Sequence, residues 1–158
     1  MIKKQITLTF ILTLIFLILI SAFVIEYALG YKPCKLCIYQ RIPYFISLPL
    51  IAQILFIKKF EKITLLILSI VFFVSFVLAF YHFGIEEGFF QESAACVTHE
   101  ISNGLTKEQI MEKLKENRIS CKNVNFRVLG LSLATINSIF SIVLSVIFLK
   151  SFLNYGKN

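Results

Sequence analysis

The segment KPCKLCIYQR, residues 32–41, carries two cysteines and an arginine at the threshold of an apolar run. Cys34 and Cys37 form a CxxC pair, and a disulfide that closes so short a loop constrains the unfolded chain little. Such pairs suit redox chemistry better, because one thiolate is stabilised and the ring opens readily. If a helix begins near Lys35, Arg41 and Cys37 lie on one helical face. The segment predicts a redox-active pair, with a Cys37 thiolate favoured by the helix N-terminus and by Arg41.

The other two cysteines, Cys96 and Cys121, are separated by 24 residues of a charged segment. A disulfide between them would be either structural or exposed and exchangeable, and the spacing leaves both interpretations open. Residues 106–119 between them predict a short amphipathic helix, with Thr106 and Gln109 as a capping box. That helix suits the membrane surface, and a soluble cap helix is the alternative.

The composition places these cysteines in a membrane protein. Of the 158 residues 58% are hydrophobic, with a mean hydropathy of +0.82, whereas soluble domains are about 45–50% apolar. A helix of roughly 20 residues crosses the hydrocarbon core. The second run is short and spans only if Arg41 and Lys58 snorkel outward. We predict an all-α integral membrane four-helix bundle, one domain over residues 1–158, with spans near 6–25, 40–57, 63–83 and 129–149 and outer loops at 26–39 and 84–128.

The first run, residues 5–25, follows Lys3 and Lys4 and so resembles a signal peptide. It is longer than the usual apolar region of about 7–15 residues, and no small-x-small cleavage site follows it. We therefore expect an uncleaved membrane anchor.

The distribution of charge predicts the orientation. Lysines crowd into the N-terminus, the turn at 58–62 and the C-terminal tail, and short Lys-rich segments stay in the cytoplasm. Both termini are then cytoplasmic and all four cysteines lie outside, where disulfides persist. The net charge of +7 is scattered between apolar runs rather than gathered on one face, which disfavours nucleic-acid binding.

Three stretches resemble the DsbB family of bacterial thiol:quinone oxidoreductases. KPCKLCIYQR resembles its CxLCxxxR element, FYHFGIEEG is similar to the exit from its third helix, and CKNVNFRVLGLSLATIN resembles the approach to its fourth helix. The order and spacing match over nearly the whole chain.

The resemblance implies a relay in the bacterial inner membrane. A Cys96–Cys121 disulfide would oxidise a DsbA-like periplasmic partner of thioredoxin fold, and the Cys34–Cys37 pair would reoxidise the loop pair. A membrane quinone, ubiquinone or menaquinone, would take the electrons near Cys37, Arg41 and His82. The resemblance implies contact with lipid and quinone, no metal and a monomeric protein.

One residue departs from the family pattern, and others have an ordinary structural role as the alternative to a redox role. Phe126 stands where the family often has Trp, in a chain without Trp. His82 is otherwise an interfacial histidine, His99 a solvated loop histidine, and Glu86 and Glu87 ordinary interfacial acids, one of which would move protons in the redox interpretation.

Three other classes fit parts of the pattern. A zinc or copper site would use the four cysteines, but structural zinc favours two closely spaced pairs. A bundle of the vitamin K epoxide reductase type also couples CxxC to quinone, with the two pairs in the opposite order. A purely structural membrane protein would use two disulfides and would tolerate Cys37→Ser.

Overall fold

The computed structural model of the protein describes residues 2–91, 121, 127–128 and 130–156. The predicted surface helix at 106–119, together with Cys96, His99 and Phe126, lies outside the described residues.

Four long helices dominate the described chain. They are α1 (Ile2–Phe23), which continues into a π-helical turn (Val24–Ala28), α2 (Lys35–Phe56), α3 (Glu61–Glu86) and α4 (Leu133–Leu153). The prediction of a mainly helical protein with four helices is confirmed. The stretch Gln5–Ala28, α3 and α4 are long and apolar enough to cross a membrane. The 22 residues of α2 reach about 33 Å at 1.5 Å per residue, so α2 is long enough, although it is more polar than the other three.

The second helix begins at the CxxC segment. Cys34 is the N-cap of α2, and its sulfur accepts a hydrogen bond from the backbone N–H of Cys37 at 3.2 Å. An N-cap side chain normally satisfies one of the four unpaired N–H groups at a helix start. At its other end α2 turns tightly into α3, and Lys58 and Phe60 take left-handed conformations with φ of 54° and 58°.

The fourth helix begins at Leu133, whereas hydropathy predicts a span from residue 129. The difference arises because β1 (Arg127–Val128) and β2 (Leu131–Ser132) pair as a small antiparallel ladder, with Val128 opposite Leu131. Gly130 in the turn has a φ of +84°, which glycine adopts without steric cost. Ser132 then caps α4 by accepting the Thr135 N–H at 3.1 Å.

Aromatic and aliphatic side chains from all four helices form the core. Phe72 of α3 stacks on Phe148 of α4 with ring centres 5.7 Å apart, and it meets Tyr44 of α2 edge-on at 5.6 Å. Ile15 of α1 and Ile51 of α2 are fully buried in the same cluster. This core fixes the lateral positions of the helices below the cysteine site.

Serines join α3 to α4 within the apolar layer. Ser75 and Ser141 share a hydrogen bond of 3.0 Å between their hydroxyls, and Ser69 and Ser145 each donate to the other's carbonyl oxygen, at 3.1 and 2.9 Å. Small residues let membrane helices approach closely, and hydroxyl groups hydrogen-bond across the contact. The two helices that carry His82 and Asn137 are thereby held in one register.

Candidate active site

Cys34 lies at the centre of a buried polar cluster at one end of the bundle. Cys34 and Cys37 are both free thiols, and Cys34 is 6% exposed. Its sulfur lies 3.6 Å from Nε2 of His82. The Cys37 thiol and, in lesser part, His82 lower the pKa of Cys34 from 9.0 to about 5, although burial acts in the opposite direction. Cys34 is therefore a thiolate at neutral pH.

The thiolate belongs to Cys34 rather than to Cys37, where the sequence analysis placed it. The Cys34 sulfur is the N-cap acceptor, whereas Cys37 lies inside the first turn and supplies the N–H. Hydrogen bonding to the Cys34 sulfur raises the pKa of the Cys37 thiol. The dipole of the helix start thus stabilises the first cysteine of the pair.

Cys121 brings a disulfide to the same cluster. It is buried and disulfide-bonded, and its sulfur lies within 4.8 Å of both the Cys34 sulfur and a ring nitrogen of His82. Because Cys34 and Cys37 are free thiols, neither is the partner of Cys121. A thiolate beside a disulfide sulfur is the arrangement that thiol–disulfide exchange requires.

Two sulfurs and an imidazole nitrogen this close together are also donors that a soft metal ion prefers. In the state described here the Cys121 sulfur is bonded in a disulfide. The cluster is therefore a thiolate, an imidazole and a disulfide, the components of an exchange site.

Hydrogen bonds tie His82 to α2 and α4. His82 is 3% exposed, and its Nδ1 atom accepts a hydrogen bond of 3.0 Å from Gln40 Nε2. Asn137 Nδ2 in turn donates to Gln40 Oε1 at 2.9 Å. The Tyr44 hydroxyl donates to Asn137 Oδ1. None of Gln40, Tyr44 and Asn137 is a predicted site residue. Two of them carry a signal in the sequence: Gln40 and Tyr44 follow Cys37 by three and seven residues, the spacing of side chains on one face of a helix.

The two acids at the end of α3 differ sharply. The Glu86 side chain is 7% exposed and its Oε1 lies 3.6 Å from His82 Nε2, whereas Glu87 is exposed and ends the helix. Glu86 therefore belongs to the buried cluster and Glu87 to its rim.

Arg41 faces α1. Its Nη1 donates to Glu26 Oε2, its Nη2 lies 3.5 Å from the Ala22 carbonyl oxygen, and its guanidinium carbon is 5.3 Å from the Phe23 ring centre. Glu26 stands in the π-helical turn that extends α1, and such turns often mark functional positions. The sequence analysis missed Glu26, whose signal is that it is the sole acid among the first 60 residues.

A cavity of about 280 Å³ opens beside these groups. Cys34, Cys37, Arg41 and His82 form its polar wall, and α1 and α4 contribute apolar walls that include Ile18, Ala22, Ile136 and Phe140. The cavity thus joins thiol chemistry to an apolar space between helices.

The helices and the cysteine cluster define a membrane-type helical protein with a thiol–disulfide exchange site. The family model described as "Disulfide bond formation protein DsbB" matches residues 3–150, so the chain belongs to the DsbB family and is a disulfide bond formation protein. It is also 33% identical over 149 residues to an uncharacterized protein of Rickettsia prowazekii (strain Madrid E), covering 93% of this chain and 86% of that protein. The resemblance found in the sequence is confirmed.

Proposed function

We propose that this protein reoxidises a DsbA-like dithiol protein of thioredoxin fold and passes the electrons to a membrane quinone. The observation that carries the proposal is the free Cys34 sulfur, held within 4.8 Å of the disulfide-bonded Cys121 sulfur. Two cysteine pairs whose members lie this close can exchange one disulfide between them.

In the proposed cycle Cys121 pairs with Cys96, and the reduced partner attacks Cys96. The partner leaves with a disulfide, and Cys96 and Cys121 become thiols. The Cys121 thiolate then attacks the Cys34 sulfur of an oxidised Cys34–Cys37 pair, which releases the Cys37 thiolate. Attack by Cys96 on Cys121 restores the loop disulfide and releases the Cys34 thiolate. Two electrons and two protons have now moved from the partner to the CxxC pair. The structure has this redox state, with Cys34 and Cys37 as free thiols and Cys121 in a disulfide.

The cavity beside Cys37 fits the flat headgroup of a quinone. At about 280 Å³ it lies just below the usual range of roughly 300–1,000 Å³ for ligand sites, and its mixed lining suits an apolar ring with polar oxygens. A quinone, when bound, supplies the acceptor for two electrons and two protons. Arg41 orients polar groups at the cavity wall, and its positive charge favours negative charge developing nearby. Cys34 and Cys37 close their disulfide as the electrons leave.

This function places the protein in the bacterial inner membrane. We infer four spans, with α2 as the fourth, both termini in the cytoplasm and all four cysteines on the periplasmic side. Arg41 sits near the start of the shortest predicted span, 40–57, where a guanidinium paired with Glu26 costs less than an isolated charge. A monomer carries the whole relay, because one chain supplies both cysteine pairs.

The test is anaerobic reduction of ubiquinone-1 or a short-chain menaquinone by a reduced DsbA-like protein, catalysed by the purified protein in detergent. Quinol should form in step with partner disulfide, and any of Cys34→Ser, Cys37→Ser, Cys96→Ser or Cys121→Ser should abolish turnover. Cys37→Ser should still form the mixed disulfide with the partner. Full turnover by Cys96→Ser would overturn the relay.

A further inference from the structure

A chain of side-chain hydrogen bonds leads from Tyr44 to Cys34 through three intervening residues. Each contact in this chain sets which atom of the next side chain is a donor. The Tyr44 hydroxyl donates to Asn137 Oδ1, and the Ser141 hydroxyl approaches the same oxygen at 3.4 Å. This atom, the amide oxygen of Asn137, thus accepts from two hydroxyls, which uses both of its lone pairs. The Asn137 amide nitrogen therefore faces α2.

That orientation sets the next amide. Asn137 Nδ2 lies 2.9 Å from Gln40 Oε1 and donates to it. The Gln40 nitrogen is then left to face His82, where it lies 3.0 Å from Nδ1. An amide nitrogen is a donor, so His82 Nδ1 must accept, and a neutral ring carries its proton on Nε2.

The protonated side of His82 faces the thiolate. His82 Nε2 lies 3.6 Å from the Cys34 sulfur and 3.6 Å from Glu86 Oε1, so the ring N–H faces both atoms that carry negative charge. With the opposite tautomer an unprotonated nitrogen would face the thiolate, and its lone pair would repel the charge. The tautomer of His82 therefore decides whether the imidazole stabilises Cys34.

We propose that Gln40 and Asn137 are positioning residues that hold His82 as the Nε2–H tautomer, so that its proton points at the Cys34 sulfur. The amides come from α2 and α4 and the imidazole from α3, and the serine contacts between α3 and α4 keep their spacing. In the relay, the arrangement makes Cys34 the better leaving sulfur when Cys96 attacks Cys121, a consequence that rests on the proposed function.

Other titratable groups line the cavity beside Cys34. They are Tyr31 and Lys32 before α2, Cys37, Arg41 and Tyr44 of α2, His82 and Glu86 of α3, and Cys121. Among those whose contacts are given, Cys37 and His82 reach the Cys34 sulfur directly. The background used below replaces Cys121, in the parent and the variants alike, and the test substitutions leave the other groups in place.

The tautomer is measured by ¹⁵N NMR of the imidazole nitrogens in full-length protein carrying Cys96→Ser and Cys121→Ser, with Cys34 and Cys37 reduced. The chain has two histidines, so His99→Gln assigns His82. We expect a protonated Nε2 and an unprotonated Nδ1. Gln40→Glu keeps the shape but offers an acceptor, and should move a proton onto Nδ1; Gln40→Leu and Asn137→Leu should leave a mixture of tautomers.

The second readout is the pH profile of Cys34 alkylation by iodoacetamide in the same background. Gln40→Leu and Asn137→Leu should each raise the midpoint by about one pH unit, which slows alkylation about twofold at pH 6 and nearly tenfold at pH 4. Gln53→Leu, which removes a glutamine from the far end of α2, is the control and should change neither readout.

A protonated Nδ1 in the parent protein, or the parent tautomer and alkylation profile in both leucine variants, would overturn the proposal. Neither readout involves quinone or partner. A failure here therefore leaves the relay intact, and a failure of the relay leaves the assignment of His82 standing.

Discussion

Arg41 and Glu26 form an ion pair between the start of α2 and the π-helical end of α1, and the guanidinium also lies over the Phe23 ring. Both side chains are largely buried, with exposed fractions of 18% and 22%. A residue that merely snorkels from a membrane helix would extend into water. Arg41 is instead fixed at the cavity wall by a partner that the sequence analysis did not identify.

Substitution of Arg41 should damage the quinone step specifically. Loss of one well-placed donor to a developing oxyanion costs about 3–4 kcal/mol, or roughly 10²–10³ in rate. We expect Arg41→Met to approach that loss and Arg41→Lys to lose about tenfold, because an ammonium lacks the planar fork whose two nitrogens face Glu26 and the Ala22 carbonyl. Stopped-flow quinone reduction and partner exchange are measured separately, and exchange should not change.

Glu26→Gln should have a smaller effect, a few-fold, since the amide oxygen still accepts from Arg41. Lys35→Met is the control for loss of a nearby positive charge, since Lys35 is exposed and does not line the cavity. Wild-type quinone kinetics in Arg41→Met would leave Arg41 as a membrane-edge anchor.

The low pKa of Cys34 predicts an unusual pH dependence of the CxxC potential. With Cys34 titrating near pH 5 and the Cys37 pKa raised, the reduced pair keeps one proton between pH 6 and 8. The potential should then fall by about 30 mV per pH unit, where uptake of two protons would give about 59 mV. The measurement is equilibration of the Cys96→Ser/Cys121→Ser protein with dithiothreitol buffers.

The same titration has a consequence for stability. Because the folded pKa of Cys34 is lowered from 9.0 to about 5, its stabilisation of the reduced protein is complete above pH 9 and is lost as the pH falls through 5.

The control for the redox potential is His82→Ala, which should raise the pH at which the slope of the CxxC potential changes. A uniform slope near 59 mV from pH 6 to 8 would contradict a Cys34 thiolate.

Gly84 should resist substitution because Phe90 folds back onto it. The Phe90 N–H donates to the Gly84 carbonyl oxygen at 3.0 Å, Phe90 stacks on Tyr81 at 5.6 Å, and a Cβ on Gly84 would overlap the Phe90 ring. Gly84→Ala should destabilise the protein by about 1–3 kcal/mol, as overpacking does, and lower its Tm in detergent. Phe90→Ala should suppress most of that cost in a double-mutant cycle; additive effects would show that the ring is not the obstacle.

Features that depend on neighbouring residues were predictable from the sequence. The apolar runs gave the helices because backbone groups in lipid must be satisfied within the segment, and the CxxC segment gave the start of α2. Local pattern failed at the start of α4, where the turn at Gly130 and the Ser132 cap displace the helix from its apolar run.

The site was predictable in its cysteines but not in its contacts. Gln40 and Asn137 are 97 residues apart, and no periodicity specifies which polar side chains of two helices will meet. The sequence favours a thiolate at Cys37 because the helix dipole and Arg41 are its only local signals. The decisive facts were the N-cap role of Cys34 and the imidazole of His82, which packing brings from α3.

The central claim is that Cys34 exchanges directly with Cys121. The variant Cys37→Ser/Cys96→Ser retains these two cysteines alone. Their sulfurs lie within 4.8 Å of each other, against about 2.05 Å in a disulfide, so a small movement forms the bond. His82→Ala in this background is the control: it should slow bond formation at pH 6, where it depletes the thiolate, and much less at pH 9.

The measurement is mild oxidation of this variant in detergent, followed by alkylation, proteolysis and mass spectrometry of the cysteine peptides. The relay predicts that most molecules carry an intramolecular Cys34–Cys121 disulfide. Recovery of two free thiols, or of disulfide-linked dimers alone, would contradict it.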